Sequence, residues 1–258
     1  MTLPCRGAAW VKNLTESLKY LTDGTGAYAR AAANRVAMDI PGPGAEAAAA
    51  REWAMGADMR WLTEDDLAGI YDPPGATALR KVADRVTPEY ARLLLASRFC
   101  VLATQGPRGT DASPRGDDGP VARLLDPHHV ALPDWQGNNR IDSISNIVAD
   151  GRASLMFLIR GSATVLRLRG HARVTDDADL RATFARGEKL PRAVIVLRVA
   201  EAYFQCARAV NRASLWDGHD DSASLPTPGE ILSVLSSDEV GGAAYDAEWP
   251  ERAARTMW

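Results

Sequence analysis

Three polar clusters in this sequence hold the residue types from which an anion site can be built. The first is Asp134-Trp135-Gln136-Gly137-Asn138-Asn139-Arg140-Ile141-Asp142. It follows a predicted strand and opens a predicted helix, Asn138 to Ala149, in which Ile141, Ile144, Ile147 and Val148 recur at helical spacing. Unpaired backbone N–H groups at a helix start attract an anion, and Arg140 adds a permanent charge with fork geometry. A phosphate suits such a group. The competing reading is a helix cap beside a surface arginine.

The second cluster is Asp111-Ala112-Ser113-Pro114-Arg115-Gly116-Asp117, where an arginine at the end of a predicted strand could reach the same anion. An Arg–Asp surface pair is the alternative. The third runs from Cys206 to Asp217. Arg208 and Arg212 stand four apart and share a helical face, and Trp216 lies one turn further if the helix continues. Two guanidinium groups and an indole could frame a flat anionic ring by charge and stacking. A surface helix with a partly buried tryptophan accounts for the same residues.

Other chemistries find little support. His128 and His129 lie in a turn, His171 near a strand end and His219 in a polar loop, with no third ligand at metal spacing. The three cysteines, Cys5, Cys100 and Cys206, are odd in number and scattered, and no pair has CxxC spacing. Neither a disulfide framework nor a metal is expected. No GxSxG, HExxH or GxxxxGK[ST] motif is present. Asp117-Asp118 and Asp220-Asp221 read as solvated loop acids, and Cys100 as a core residue. With 30 basic and 33 acidic residues the formal net charge is −3, which lacks the basic surplus of a nucleic-acid binder. No 18-residue apolar run and no secretory leader are evident, so a soluble cytoplasmic protein without a membrane partner is the expectation.

The elements that must position these clusters follow from periodicity and breakers. Residues 1–60 differ from the rest: Gly24-Thr25-Gly26 and Pro41-Gly42-Pro43-Gly44 fragment them. Helices are predicted at Leu14 to Leu21 and in the Ala-rich run Ala45 to Arg60. This stretch reads as a helical N-terminal extension or arm, or as a loosely attached tail, ahead of a main domain over 61–258. Thr63 followed by three acids suits a helix start, and Ala76 to Val86 and Pro88 to Ala96 read as two helices. Phe99 to Thr104 is a buried strand, turned through Gln105 to Thr110 into Asp111 to Arg115. Val121 to Leu125 pairs with Val130 to Leu132. Ala153 to Ile159 is a buried strand, Thr164 to Arg169 a half-exposed one, Asp176 to Arg186 a charged helix and Ala193 to Phe204 a long strand. Strand pairs broken by short helices point to an α+β protein with a small antiparallel barrel.

Taken in order, these segments resemble the pyridoxamine 5'-phosphate oxidase-like flavoproteins that bind FMN in a split barrel. The likeness rests on Asp111 to Asp117, on Gly137 to Ser143, and on Cys206-Ala207 with Leu215-Trp216-Asp217. Leu79-Arg80-Lys81-Val82 and Phe157-Leu158-Ile159 add to it, and it covers about residues 62–258. The resemblance implies an antiparallel split β-barrel with flanking helices, and a homodimer with FMN at the subunit interface. By position, Arg115, Asn138, Asn139 and Arg140 would grip the phosphate, while Ser113 and Asp134 would lie along the ribityl chain or ring. Arg208, Arg212 and Trp216 would approach the ring. An FMN-dependent oxidoreductase of a small organic substrate is the implied function, with oxygen or a nicotinamide as electron partner. A non-catalytic flavin or tetrapyrrole binder, or a split barrel that has lost FMN for another biosynthetic role, are the alternatives.

Departures from the family pattern are local. Where the family carries a Glu-Thr-Leu-Arg-x-Asn-Gly strand, this chain reads Thr164-Val165-Leu166-Arg167-Leu168-Arg169-Gly170, with Arg160 in place of a proline. Val165 cannot hydrogen-bond a flavin pyrimidine, and one lost polar contact costs about 1 kcal/mol.

Overall fold

The computed structural model describes residues 59–107 and 109–258. The helices expected at Leu14 to Leu21 and Ala45 to Arg60 lie outside the described residues, except for Met59 and Arg60. Seven antiparallel strands form one sheet: β1 (Phe99–Gly106), β2 (Gly109–Gly116), β3 (Arg123–Asp126), β4 (His129–Asp134), β5 (Arg152–Leu158), β6 (Val165–Thr175) and β7 (Ala193–Gln205). Their order is β2-β1-β5-β6-β7-β4-β3. The helices are α1 (Glu64–Leu67), α2 (Ala76–Arg80), α3 (Pro88–Ala96), α4 (Asp142–Ala149), α5 (Ala178–Ala182), α6 (Arg208–Arg212), α7 (Pro228–Leu235), α8 (Gly242–Ala247) and α9 (Trp249–Thr256). The α+β class with an antiparallel sheet and flanking helices is as expected.

Two compact units divide the chain, and residues 224–250 belong to one while 59–223 and 251–258 belong to the other. In the first, α7 starts at a capping box: Thr227 Oγ1 accepts from Glu230 N at 3.1 Å, and Glu230 Oε2 accepts from Thr227 N at 2.8 Å. The second unit holds the sheet and every candidate site residue.

Alternation explains the strands. On β1, Cys100, Leu102 and Thr104 are buried, and on β5 Ala153, Leu155 and Phe157 are. All of these but Thr104 join Leu166, Leu168 and Ala172 of β6, Ile195 and Leu197 of β7, and Val130 and Leu132 of β4 in one core, with Val86, Leu94 and Ile147 from outside the sheet. Apolar residues from nearly every strand thus meet on one concave side. The sheet ends at β2 and β3, and side chains bridge its two margins. Arg115 on β2 donates through Nη1 to Asp134 Oδ1 at the end of β4 at 2.7 Å, and Trp135 Nε1 donates to Asp117 Oδ2 at 3.2 Å. A sheet whose margins meet through side chains rather than a backbone ladder is a barrel with a split in its wall.

Two details shape that wall. The ladder between β6 and β7 shifts between Arg169 and Gly170, leaving an extra residue on β7. A Cβ at Gly170 would lie 2.0 Å from the Arg198 carbonyl oxygen, so glycine is required where the bulge brings the backbones together. Secondly, α4 docks on the β1–β2 hairpin through Asn146, whose Nδ2 donates to Thr104 Oγ1 and to the Gly109 carbonyl, each at 3.2 Å.

Several boundaries differ from expectation. The helix predicted from Ala76 to Val86 ends at Arg80, because Ala83 instead exchanges backbone hydrogen bonds with Ala202 at 2.9 and 2.8 Å. The helix predicted from Asp176 to Arg186 is confined to Ala178–Ala182, ending as Thr183 turns its hydroxyl back onto the Leu180 carbonyl at 2.7 Å. Among the described residues, no helix is long and apolar enough to cross a membrane.

Candidate anion and cofactor site

The site starts from the alternation of β2. Asp111, Ser113 and Arg115 are half-buried and share one face, while Ala112, Pro114 and Gly116 are exposed. In register, Arg115 stands opposite Cys100, Ser113 opposite Leu102, and Asp111 opposite Thr104, so these polar residues face the barrel interior. At the sheet margin β2 can carry polar groups inward because Asp134 and Ser143 pair with them.

The 134–143 segment runs along this face and is tied to it at both ends. At one end stands the Arg115–Asp134 ion pair, whose side chains keep only 20% and 18% of their exposure. At the other, buried Ser143 hydrogen-bonds Asp111. Ser113 sits between the two ties. A second nitrogen of Arg115 completes the picture: its Nε is buried and has no hydrogen-bond partner. A buried guanidinium N–H left unpaired costs more than a neutral one, so the position calls for an acceptor. Arg115 is therefore part-neutralised by Asp134, with its buried Nε donor in reserve.

The helix expected from Asn138 begins at Asp142 instead. Asn139 adopts the left-handed conformation with φ 61°, and Asn138 Oδ1 captures the Arg140 backbone N–H at 3.0 Å. This Asx turn competes with the helix and wins over four residues. The amides of residues 138–141 therefore do not form a helix N-terminus. Ile141 caps α4 without a side-chain bond.

The candidate residues are distributed accordingly. Arg115, Ser113 and Asp134 are brought together on the split. Asn138, Asn139 and Arg140 lie on the exposed turn beside it. Asn139 accepts from Arg192, and Arg140 Nε pairs with Asp142 at 3.2 Å while 79% of its side chain stays exposed. Arg208 and Arg212 share the short α6, both exposed. Trp216 is not on its next turn, because Ser214 with φ 47° ends the helix; its Nε1 donates to the Ser162 carbonyl at 2.9 Å. Val165 is buried at 7% exposure, facing Gln205 across the ladder. Arg169 pairs with Glu201.

Sequence reasoning missed Asp117. It is no solvated loop acid: its side chain is 4% exposed and accepts from Trp135 Nε1, Arg186 and the Asp118 amide. The signal was available, since Asp117 extends the alternation of Asp111, Ser113 and Arg115 by one more step. Among the described residues, no group of histidines, cysteines and acids could hold a metal.

What can this arrangement do? It can hold an anion at Arg115, offer the Ser113 hydroxyl to an extended polar chain, and shelter both behind the 134–143 segment. Those are demands that a phosphate-tailed cofactor makes, and the unpartnered Arg115 Nε fits that tail.

The match to a family model gives the same direction. Residues 86–206 match the family described as pyridoxamine 5'-phosphate oxidase. That span holds all seven strands and α4, and ends before Arg208. No curated protein matches the chain. Among solved structures, HupZ of Group A Streptococcus is 19% identical with a TM-score of 0.40, covering 47% of this chain and 94% of that one. An FAD binding protein from Mycobacterium smegmatis is 13% identical with a TM-score of 0.34, covering 48% and 97%. An FMN-binding protein from Syntrophomonas wolfei is 13% identical with a TM-score of 0.35, covering 45% and 84%.

Proposed function

We propose, from the match of residues 86–206 to the pyridoxamine 5'-phosphate oxidase family, that this protein is an FMN-dependent oxidoreductase acting on a small organic substrate. The observation that carries the reading is the buried, unpartnered Nε of Arg115 on the inner face of β2. It asks for an anionic acceptor at the place where the family would seat a phosphate.

In this reading Arg115 binds the phosphate through Nε while Asp134 fixes the guanidinium plane. Ser113 hydrogen-bonds the ribityl chain. Asn138, Asn139 and Arg140 close over the phosphate from the exposed turn, exchanging their present surface partners. Arg208 and Arg212 place positive charge near the ring, which favours a reduced, anionic flavin, and Trp216 shields it from water. A bound flavin would supply two-electron redox chemistry, with oxygen or a nicotinamide as the other electron partner. The working unit is a cytoplasmic homodimer, so that cofactor affinity and dimerisation are coupled.

Purified protein is expected to be yellow, or to take up added FMN. Arg115→Gln should weaken FMN about ten- to hundredfold by fluorescence titration, the range of a charge-assisted hydrogen bond. Arg140→Ala, an exposed residue, should weaken it less. Equal FMN affinity in wild type and Arg115→Gln would remove the phosphate assignment.

Val165 favours a second reading. A buried valine stands where the resemblance expects a polar partner for the ring. A barrel that binds a tetrapyrrole, or that has lost FMN, would give a Soret band or a colourless protein indifferent to FMN.

A further inference from the structure

Next to the Arg115–Asp134 rung lies an open groove of about 610 Å³, a volume in the range of small-molecule sites. Pro120, Leu124 and Phe184 form its apolar part, and Arg123, Arg186 and Asp117 its polar part. Phe184 is 5% exposed and fixed in a small core with Ala131 and Val194. The Arg123 guanidinium lies 4.8 Å from the Phe184 ring centre, stacked over a rigid aromatic surface.

The charges differ in availability. Arg186 is tied to Asp117 and Asp118 and lies 5.3 Å from the Trp258 ring. Asp117 has its oxygens occupied by Trp135, Arg186 and the backbone. Arg123 is exposed and has no carboxylate partner among the described residues. A cation entering the groove finds no free acid. An anion finds a planar, five-donor fork beside an aromatic face.

We propose that this groove binds a small ring compound bearing one carboxylate, its ring against Phe184 and Leu124 and its carboxylate on Arg123. We infer further that it is the substrate side of the candidate site. Asp117, one residue past the end of β2, continues the inward alternation of Arg115, and the two bond to the successive residues Trp135 and Asp134, so groove and anion site are adjacent rungs of the same split. This second part rests on the flavin reading above; the carboxylate site does not.

The test titrates the full-length protein with benzoate, benzamide and benzylamine, following tryptophan fluorescence and calorimetry. Benzoate should bind saturably, and its neutral and cationic analogues about tenfold or more weakly. Arg123→Gln should weaken benzoate about ten- to hundredfold, and Arg123→Lys, which keeps charge without the fork, by an intermediate factor. Absence of saturable benzoate binding, benzylamine binding as tightly as benzoate, or indifference to Arg123→Gln overturns the proposal. FMN titration of the same samples separates the two parts. Benzoate binding through Arg123 in a protein that refuses FMN overturns the adjacency to a cofactor and leaves the carboxylate site. FMN binding without benzoate binding removes the groove and leaves the flavin reading.

Discussion

At the scale of single residues, environment decides what each reactive group can do. Cys100 lies in the core opposite Arg115, and burial pushes its thiol up to about 12 despite that guanidinium. Cys206 is exposed, and the Arg208 amide, the Gln205 side chain, and the charges of Arg208 and Lys81 lower its pKa. The thiolate is the reactive species. Iodoacetamide at neutral pH should therefore alkylate Cys206 in the native protein and reach Cys100 only after unfolding, as peptide mapping would show. Alkylation of Cys100 at the same rate as Cys206 would contradict the burial of β1. The burial of Cys100 was legible from its place in Phe99 to Thr104. The exposure of Cys206 was not, because it depends on how β7 ends at α6.

Asp117 and Arg140 teach the same lesson in opposite directions. Sequence offers Arg140 either as a phosphate ligand at a helix start or as a surface arginine beside a helix cap, since an asparagine pair and a predicted helix follow the breaker Gly137. The chain spends its asparagine locally instead, Asn138 turning back on the Arg140 amide. Competition between a side chain and the backbone helix is settled by a few tenths to about 1 kcal/mol, below what pattern reading resolves. For Asp117 the alternation of β2 carried the signal of its inward side, but its partners Trp135 and Arg186 are 18 and 69 residues away, and no local spacing announces them.

Elements were more legible than sites. The buried strands declared themselves because an apolar run bounded by turn residues has few other homes. The short helices were overestimated, as at Ala76 to Val86, where helical propensity yields to a long-range bridge between Ala83 and Ala202. At this scale the β6–β7 bulge makes a sharp prediction. Gly170→Ala would drive a methyl into the Arg198 carbonyl, and overpacking against backbone costs about 1–3 kcal/mol. Urea unfolding should show a lower midpoint with an unchanged slope. A midpoint equal to that of wild type would mean that the bulge relaxes freely.

For the molecule as a whole, the outer side of the sheet is the feature that sequence periodicity implies but cannot assemble. Register places Pro114, Val101, Met156, Arg167 and Tyr203 in one row across β2, β1, β5, β6 and β7. Phe99 and Leu158 pair in the next row. Met156 is 39% and Phe99 41% exposed, and Arg167 lies over Tyr203 at 5.3 Å. An apolar sheet face of this kind suits self-association, and the proposed homodimer would be built on it. Light scattering should give twice the chain mass for wild type and the single mass for Met156→Glu, with folding retained because Met156 lies outside the core. A monomeric wild type at micromolar concentration would set the two-chain arrangement aside.

The rung between Arg115 and Asp134 has a thermodynamic consequence. It joins margins that the backbone leaves apart, and the same guanidinium is the one on offer to a guest. Whatever anion settles on Nε adds a second acceptor to a residue already holding the cylinder shut. Occupancy and closure are thus written into one side chain, and a loaded protein must resist the parting of its own seam better than an empty one.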